Sequence, residues 1–220
     1  MIPLRDSTRS RTFPLVTISL ILLNLYFFYQ QASSTPQEME QLILNYGFTP
    51  ALLTEQIKNY SLWGFFHPPL LTAIFLHGSW FHLLSNMLYL WIFGDNIEDK
   101  LGHFRFLLFY LFTGIIANLI YYLTAINSPL PLVGASGAIA GILGAYFITF
   151  PRAKITTLFF VFIFVFLRQI PAVFFLFVWF VLQVINGIGT MNSPIAWWAH
   201  IGGFISGFIL MPFLKKHRLF

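Results

Sequence analysis

The sequence has 220 residues, of which 58% are hydrophobic, 20% are aromatic and only 9% are charged. Soluble domains contain about 25% charged residues, so this apolar excess is more than one aqueous core can bury, and it requires lipid as a solvent. The formal charge of +5 arises from basic residues in short clusters between long apolar runs, a pattern typical of membrane topology signals and not of nucleic-acid binding. The absence of cysteine excludes disulfides, iron–sulfur clusters, thiol nucleophiles and cysteine-ligated zinc.

Six apolar stretches predict an all-α, polytopic membrane protein. Residues 1–12 form a basic leader, and residues 13–214 form a membrane domain that is followed by a basic tail at 215–220. The spans are predicted at about 13–29, 70–93, 106–125, 132–150, 170–188 and 195–214. No small-residue cleavage site follows the first stretch, so we expect a retained helix and not a signal peptide.

The connections between the spans differ in character. The long connection at about 30–69 is predicted to contain short amphipathic helices at the membrane interface. The polar run at 94–105 is predicted to end the second span. Residues 155–167 are predicted to form an interfacial or partly buried loop, because Arg168 and Pro171 separate them from the fifth span and a mid-membrane arginine is costly.

The distribution of charge predicts the orientation of the bundle. With six spans, one side of the membrane holds Arg5, Arg9, Arg11, Lys100, Arg105, Arg152, Lys154, Arg168, Lys215, Lys216 and Arg218. The other side holds only Lys58. By the positive-inside rule, the leader and the tail are both cytoplasmic.

Four polar residues then fall at one depth, within about two to three helical turns of the extracytoplasmic surface. Ser136 lies near the outer end of the fourth span, His200 near that of the sixth, and His82 and Asn86 in the outer half of the second. Each residue alone is more often explained by helix packing or helix–helix hydrogen bonding. Their joint occurrence at one depth on three helices indicates a functional site.

These residue types suit nucleophilic catalysis. A serine hydroxyl requires a nearby base, and neutral histidine is the usual one, so we predict Ser136 as nucleophile and His200 as general base. The side chains of His82 and Asn86, together with the backbone N–H of Ser136 at a helix start, can stabilise an oxyanion. No acidic residue lies in a span at this depth, which favours a dyad over a triad.

Glycines explain how two of these helices could approach each other. The patterns Gly137-x3-Gly141 and Gly203-x3-Gly207 place small residues one turn apart on the fourth and sixth spans. Small residues at this spacing permit close backbone contact between helices in lipid.

The motifs together resemble the signature of rhomboid proteases. They are GASG (134–137), His82-x3-Asn86, and Ala199-His200-x2-Gly203-x3-Gly207, with further similarity in residues 75–102. The resemblance implies a six-transmembrane-helix rhomboid-like bundle, a Ser136–His200 dyad, and an oxyanion hole made of His82, Asn86 and the Ser136 amide. It also implies that Gly134 keeps the backbone open near the serine, and that Glu98 is a structural carboxylate.

The same resemblance carries further expectations. The opening MIPLRD is similar to that of many prokaryotic members, which implies the cytoplasmic (inner) membrane of a prokaryote. His77, five residues before His82, is expected about 140° around the same helix, where it makes a structural hydrogen bond. Two features depart from the family. A tyrosine that supports the histidine in some members is replaced by Ala140, and the Trp-Arg pair of the first long loop is absent.

The predicted function is intramembrane serine endopeptidase activity on single-span or polytopic membrane proteins, near the extracytoplasmic face and without a cofactor or metal. Three alternatives stay open at this stage. A catalytically inactive rhomboid-like protein would bind membrane-protein clients, and a transporter or channel would line a path with polar residues at several depths. A metalloprotease could use His77, His82 and His200 as zinc ligands, although HExxH is missing and no carboxylate accompanies them.

Overall fold

The computed structural model describes residues 1–60, 64, 66–161, 164–189 and 195–214. Within these residues the elements are, in chain order, β1 (Ile2–Asp6), α1 (Leu15–Ser33), α2 (Pro36–Tyr46), α3 (Pro50–Tyr60), α4 (Pro69–Thr72), a 3₁₀ turn (Ala73–Phe75), α5 (Trp80–Leu101), α6 (His103–Thr124), α7 (Ser136–Thr149), β2 (Lys154–Val161), β3 (Phe164–Pro171), α8 (Ala172–Gly189) and α9 (Trp197–Leu214). The predicted tail at 215–220 lies outside the described residues.

The helical membrane fold is confirmed. Among the described residues, α1, α6, α8 and α9 are each long and apolar enough to cross a membrane, and α7 is a shorter apolar helix. The outward faces of these helices expose large apolar side chains such as Leu22, Phe112, Phe177 and Ile209. This exposure fits a lipid environment, because soluble monomers rarely expose large contiguous apolar patches.

Helix α7 is the centre of the bundle. All of its residues from Gly137 to Tyr146 are buried, as expected for a helix that is apolar on every side. It packs most closely on α9, where a Cβ added at Gly203 would collide with the Gly137 carbonyl and one added at Gly207 with the Gly141 carbonyl. The glycines therefore bring the two backbones into direct contact, which holds Ser136 and His200 on adjoining helices.

The predicted second span, 70–93, is wrong in its boundaries. Residues 69–75 form α4 and the 3₁₀ turn, and the long helix α5 begins only at Trp80. Ser79 caps it by accepting a hydrogen bond from the His82 N–H. The polar run at 94–101 continues the helix, and the helix ends where Gly102 adopts a positive φ of 79°.

The carboxylate of Glu98, near the end of α5, is a buried polar group with several hydrogen-bond partners. It is fully buried and accepts hydrogen bonds from the backbone N–H groups of Val16 and Thr17, both at 2.8 Å. It also accepts from the Thr17 hydroxyl and contacts the ring Nδ1 of His103. The carboxylate thus satisfies the first turn of α1, where N–H groups lack helical partners, and joins α1 to α5.

The loop prediction for 155–167 is also wrong. Strands β2 and β3 form an antiparallel hairpin, and β1 pairs antiparallel with β2 to give a three-stranded sheet in the order β1-β2-β3. The run is rich in β-branched and aromatic residues, which favour strands. The sheet places the leader beside the connection between α7 and α8, at the end of the bundle opposite to Ser136.

The remaining predicted elements agree closely with the structure. The long first connection contains the helices α2 and α3, as expected. Helix α2 begins with a capping box in which Thr35 and Glu38 satisfy each other's backbone N–H groups. The third, fifth and sixth spans correspond to α6, α8 and α9 within a few residues, and the fourth span begins four residues later than predicted, at Ser136.

Candidate active site

Ser136 and His200 meet at the contact between α7 and α9. The hydroxyl oxygen of Ser136 lies 2.8 Å from Nε2 of His200. Ser136 is the first residue of α7 and His200 lies in the first turn of α9, so both side chains are at the same end of the bundle. The distance allows the serine hydroxyl to donate a hydrogen bond to the imidazole, which is the contact that proton transfer to a general base requires.

Gln183, which is absent from the predicted site, holds the other side of the His200 ring. Its Oε1 lies 2.8 Å from Nδ1 of His200, and its Nε2 donates to the Trp179 carbonyl at 3.0 Å. Gln183 lies on α8, and its side chain is 6% exposed. A polar amide inside an apolar span is the sequence signal that could have identified it, by the same rule that identified the serine and the histidines.

Two indole rings also lie near His200. The Trp179 ring is tilted by 35° with its centroid 6.0 Å from that of the imidazole, and the Trp197 ring meets it edge-on at 6.1 Å. Ala140, noted above as a departure from the motif that the sequence resembles, is fully buried in α7. The aromatic rings beside His200 therefore come from α8 and from its own helix, α9.

His82 and Asn86 lie on α5 and face the same cavity as Ser136. Asn86 is buried, and its Nδ2 has no hydrogen-bond partner among the described residues. An unpaired buried amide donor is costly unless a ligand meets it. The Ser136 N–H adds a second donor, since the first N–H groups of a helix have no intrahelical acceptor.

Gly134 allows the loop before α7 to pass against His82. Its φ of 130° is one that residues with a side chain rarely adopt, and its N–H donates to the Ala73 carbonyl at 2.9 Å. A Cβ at this position would come within 2.7 Å of Cε1 and Nε2 of His82. The glycine thus sets the separation between the serine loop and the imidazole of His82.

The prediction for His77 is wrong in its placement. His77 lies in the non-helical segment before α5, and its ring centroid is 5.0 Å from that of His82. Its backbone is held by Gln31, which donates to its carbonyl and accepts from its N–H. Across the described residues, no group of three or more His, Asp and Glu side chains is arranged to hold a metal ion.

An open cavity of about 440 Å³ connects Ser136 and His200 to the outside. It lies between α5, α7, α8 and the start of α9, and its polar lining includes His82, Ser85, Asn86, Ser136, Gln183 and His200. Such a cleft, mostly apolar with a few convergent polar groups, is the usual form of a ligand site.

Comparison with known proteins identifies a family domain over most of this chain. The Rhomboid domain matches residues 61–217. The chain is 39% identical over 141 residues to the rhomboid protease GluP of Bacillus subtilis, covering 63% of this chain and 24% of GluP. It is 46% identical over 71 residues to the chloroplastic rhomboid-like protein 11 of Arabidopsis thaliana, 32% of this chain and 25% of that protein. It is 36% identical over 93 residues to the human mitochondrial presenilin-associated rhomboid-like protein, 41% of this chain and 24% of that protein.

The helical fold with its apolar outer faces defines an integral membrane protein. The chain belongs to the rhomboid family. It spans about a quarter of the length of these curated relatives.

Proposed function

We propose that the chain is an intramembrane serine endopeptidase that cleaves transmembrane segments of membrane proteins near the extracytoplasmic face. The observation that supports this most strongly is the 2.8 Å contact between the Ser136 hydroxyl and Nε2 of His200 inside a membrane bundle. Membership of a family that includes the rhomboid protease GluP gives further support.

In the proposed reaction, His200 Nε2 takes the hydroxyl proton while Ser136 Oγ bonds to the scissile carbonyl carbon. The carbonyl oxygen becomes an oxyanion, and Asn86 Nδ2, His82 and the Ser136 N–H supply donors on its side of the cavity. The C–N bond then breaks as Nε2 returns its proton to the leaving amine. A water molecule from the cavity loses a proton to Nε2, attacks the acyl-serine, and releases the second product as Ser136 regains its proton.

The position of the site limits the class of substrate. A helical backbone hides its carbonyls in hydrogen bonds, so a transmembrane segment must unwind locally before Ser136 can reach a peptide bond. Segments with small or helix-breaking residues near the extracytoplasmic surface are therefore the expected substrates. No cofactor takes part in this chemistry.

The test is cleavage of a reporter transmembrane segment by the purified full chain in lipid vesicles. Ser136→Ala and His200→Ala should each lower the rate by more than about 10³-fold, because either change removes a member of the reacting pair. Ser206→Ala is the matched control. Ser206 lies on α9 and its hydroxyl donates to the Gly203 carbonyl, remote from the reacting atoms, so its rate should stay near that of the wild type.

Undiminished cleavage by the Ser136→Ala variant would overturn the dyad. A wild-type chain that fails to cleave but retains membrane proteins in a pull-down would instead favour the inactive, client-binding alternative. Cleavage that a chelator abolishes would favour a metal-dependent mechanism.

A further inference from the structure

We propose that Gln183 is a positioning residue of the site, which fixes the tautomer and orientation of His200 and stabilises the imidazolium during the reaction. The inference rests on the proposed function and extends the Ser136–His200 dyad to a Ser-His-Gln series. Its observations are the two hydrogen bonds of the Gln183 amide and its burial on α8.

The amide is oriented by its own helix. Nε2 of Gln183 donates to the Trp179 carbonyl, one turn earlier in α8. Only the other atom of the amide, Oε1, can therefore face His200, and Oε1 is purely an acceptor. The Nδ1 atom of His200 must then carry a hydrogen and donate it to Oε1.

This arrangement decides the state of the second nitrogen. A neutral imidazole has one hydrogen, so Nδ1–H leaves Nε2 with a lone pair directed at the Ser136 hydroxyl. The opposite tautomer would present a hydrogen to the hydroxyl, and the base would be unable to accept its proton. A carboxylate has this function in Ser-His-Asp enzymes, where loss of the correct tautomer is costly.

A neutral amide suits the location of this site. A buried carboxylate without a partner is strongly unfavourable in apolar surroundings, whereas a glutamine oxygen adds a partial negative charge and no net charge. When His200 becomes an imidazolium, its Nδ1–H bond to Oε1 becomes charge-assisted and stronger. Gln183 thus acts through His200 and does not touch the substrate bond itself.

The competing explanation is that Gln183 only packs α8 against α9. The two roles differ in the effect of removing the acceptor or giving it a charge. A packing role would change stability and depend on side-chain volume, whereas a positioning role would change kcat and the pH dependence of cleavage.

Gln183→Met and Gln183→Glu separate these roles. Methionine is unbranched and similar in length, so it fills the space but accepts no strong hydrogen bond. The kcat of Gln183→Met should fall by about 10- to 100-fold, because one hydrogen bond to the developing charge is lost. Its KM should stay within about twofold of the wild-type value. Glutamate keeps the acceptor, so it should retain more activity than methionine at neutral pH. The acidic limb of its kcat/KM profile should move to higher pH, because a carboxylate stabilises the protonated ring.

Asn118→Leu is a control for the loss of a buried amide. Asn118 lies on α6, donates to the Leu70 carbonyl and does not line the cavity. This variant should lower the unfolding temperature without moving the pH profile. Thermal unfolding of all variants in detergent establishes that each one is folded.

The proposed function is tested separately: the wild type should cleave the reporter segment, and Ser136→Ala should abolish this cleavage. Given that result, full kcat in Gln183→Met would overturn the positioning role alone. Equal losses of kcat in the Met and Glu variants, with no change in the pH profile, would also overturn it, because only packing would then explain the effect.

Discussion

At the scale of single residues, Gly134 shows how little space the site leaves around His82. The loop before α7 passes the imidazole so closely that even a methyl group at residue 134 would touch two ring atoms. The backbone is also held at a φ of 130° by the bond from the Gly134 N–H to Ala73. Both the conformation and the contact require glycine.

Gly134→Ala should therefore lower the cleavage rate by about 10-fold or more and reduce the free energy of unfolding by about 1–3 kcal/mol. The reason is that the added Cβ strains the loop and displaces His82 from the oxyanion side of the cavity. Kinetics on a reporter segment and thermal unfolding in detergent measure the two effects.

Gly78→Ala is the matched control for this change. Gly78 also precedes a helix by two residues, but a Cβ there meets no atom within 4 Å. Its rate and stability should stay close to wild type. Equal effects of the two substitutions would contradict the proposed importance of the Gly134–His82 contact.

The residues that could be predicted from the sequence share one property. Ser136, His200, His82 and Asn86 are polar groups in apolar spans, so their cost in lipid makes them visible without a structure. Gln183 is equally visible, but its role depends on how α8 turns relative to α9, which no local pattern specifies. The placement of His77 depended on where α5 begins, and a serine cap sets that point.

At the scale of elements, the helices could be predicted because their length and hydropathy are set by the bilayer. The three-stranded sheet could not, because β1 and β2 are far apart in sequence and neither shows clean alternation. Their pairing is anchored by Asp6, whose carboxylate accepts hydrogen bonds from the Tyr146 hydroxyl of α7 and the Asn96 amide of α5. These contacts tie the sheet to the centre of the bundle.

The same aspartate gives the sheet a dependence on pH. Burial raises the pKa of Asp6 above its ordinary value of 3.8, against the opposing effect of the Tyr146 hydrogen bond. A raised pKa means that folding favours the protonated carboxyl. This contribution to stability is present below the unfolded pKa and is lost as the pH rises through the folded pKa.

In the wild type, stability should fall as the pH is raised from about 4 toward 7, because the buried Asp6 carboxyl loses its proton. Asp6→Asn should abolish this contribution to the fall, and the asparagine oxygen still accepts a hydrogen bond from Tyr146. Asp6→Ala should instead lower the free energy of unfolding by about 1–3 kcal/mol, because it leaves the Tyr146 hydroxyl without this acceptor. Unfolding temperatures in detergent across this pH range measure both. An identical pH dependence in the wild type and Asp6→Asn would show that other groups control it.

At the scale of the whole molecule, the sheet constrains how the chain lies in the membrane. Strand β1 belongs to the leader and β2 follows α7, so both lie on one side of the bundle. Arg105, at the start of α6, also reaches the Leu214 carbonyl at the end of α9. We propose that this basic side is cytoplasmic, with the chain in an inner membrane, and that the site opens on the opposite surface.

The absence of native cysteine makes this orientation directly testable. Ser7→Cys marks the leader, and Asn127→Cys marks the exposed connection between α6 and α7. In intact cells, a membrane-impermeant maleimide should label only the cysteine at 127, and the cysteine at 7 should react after permeabilisation. The reverse pattern, or labelling of both in intact cells, would refute the orientation.

The pairing of β1 with β2 also orders events during synthesis. Strand β1 is synthesised before both of its partners, since Ile2 pairs with Leu158 in the sheet and Asp6 accepts a hydrogen bond from the Tyr146 hydroxyl. The opening residues must therefore remain unpaired while α1, α5, α6 and α7 are inserted, and contacts so distant in sequence form slowly. Strand β1 can therefore reach its final position only after the helices between it and β2 have been made.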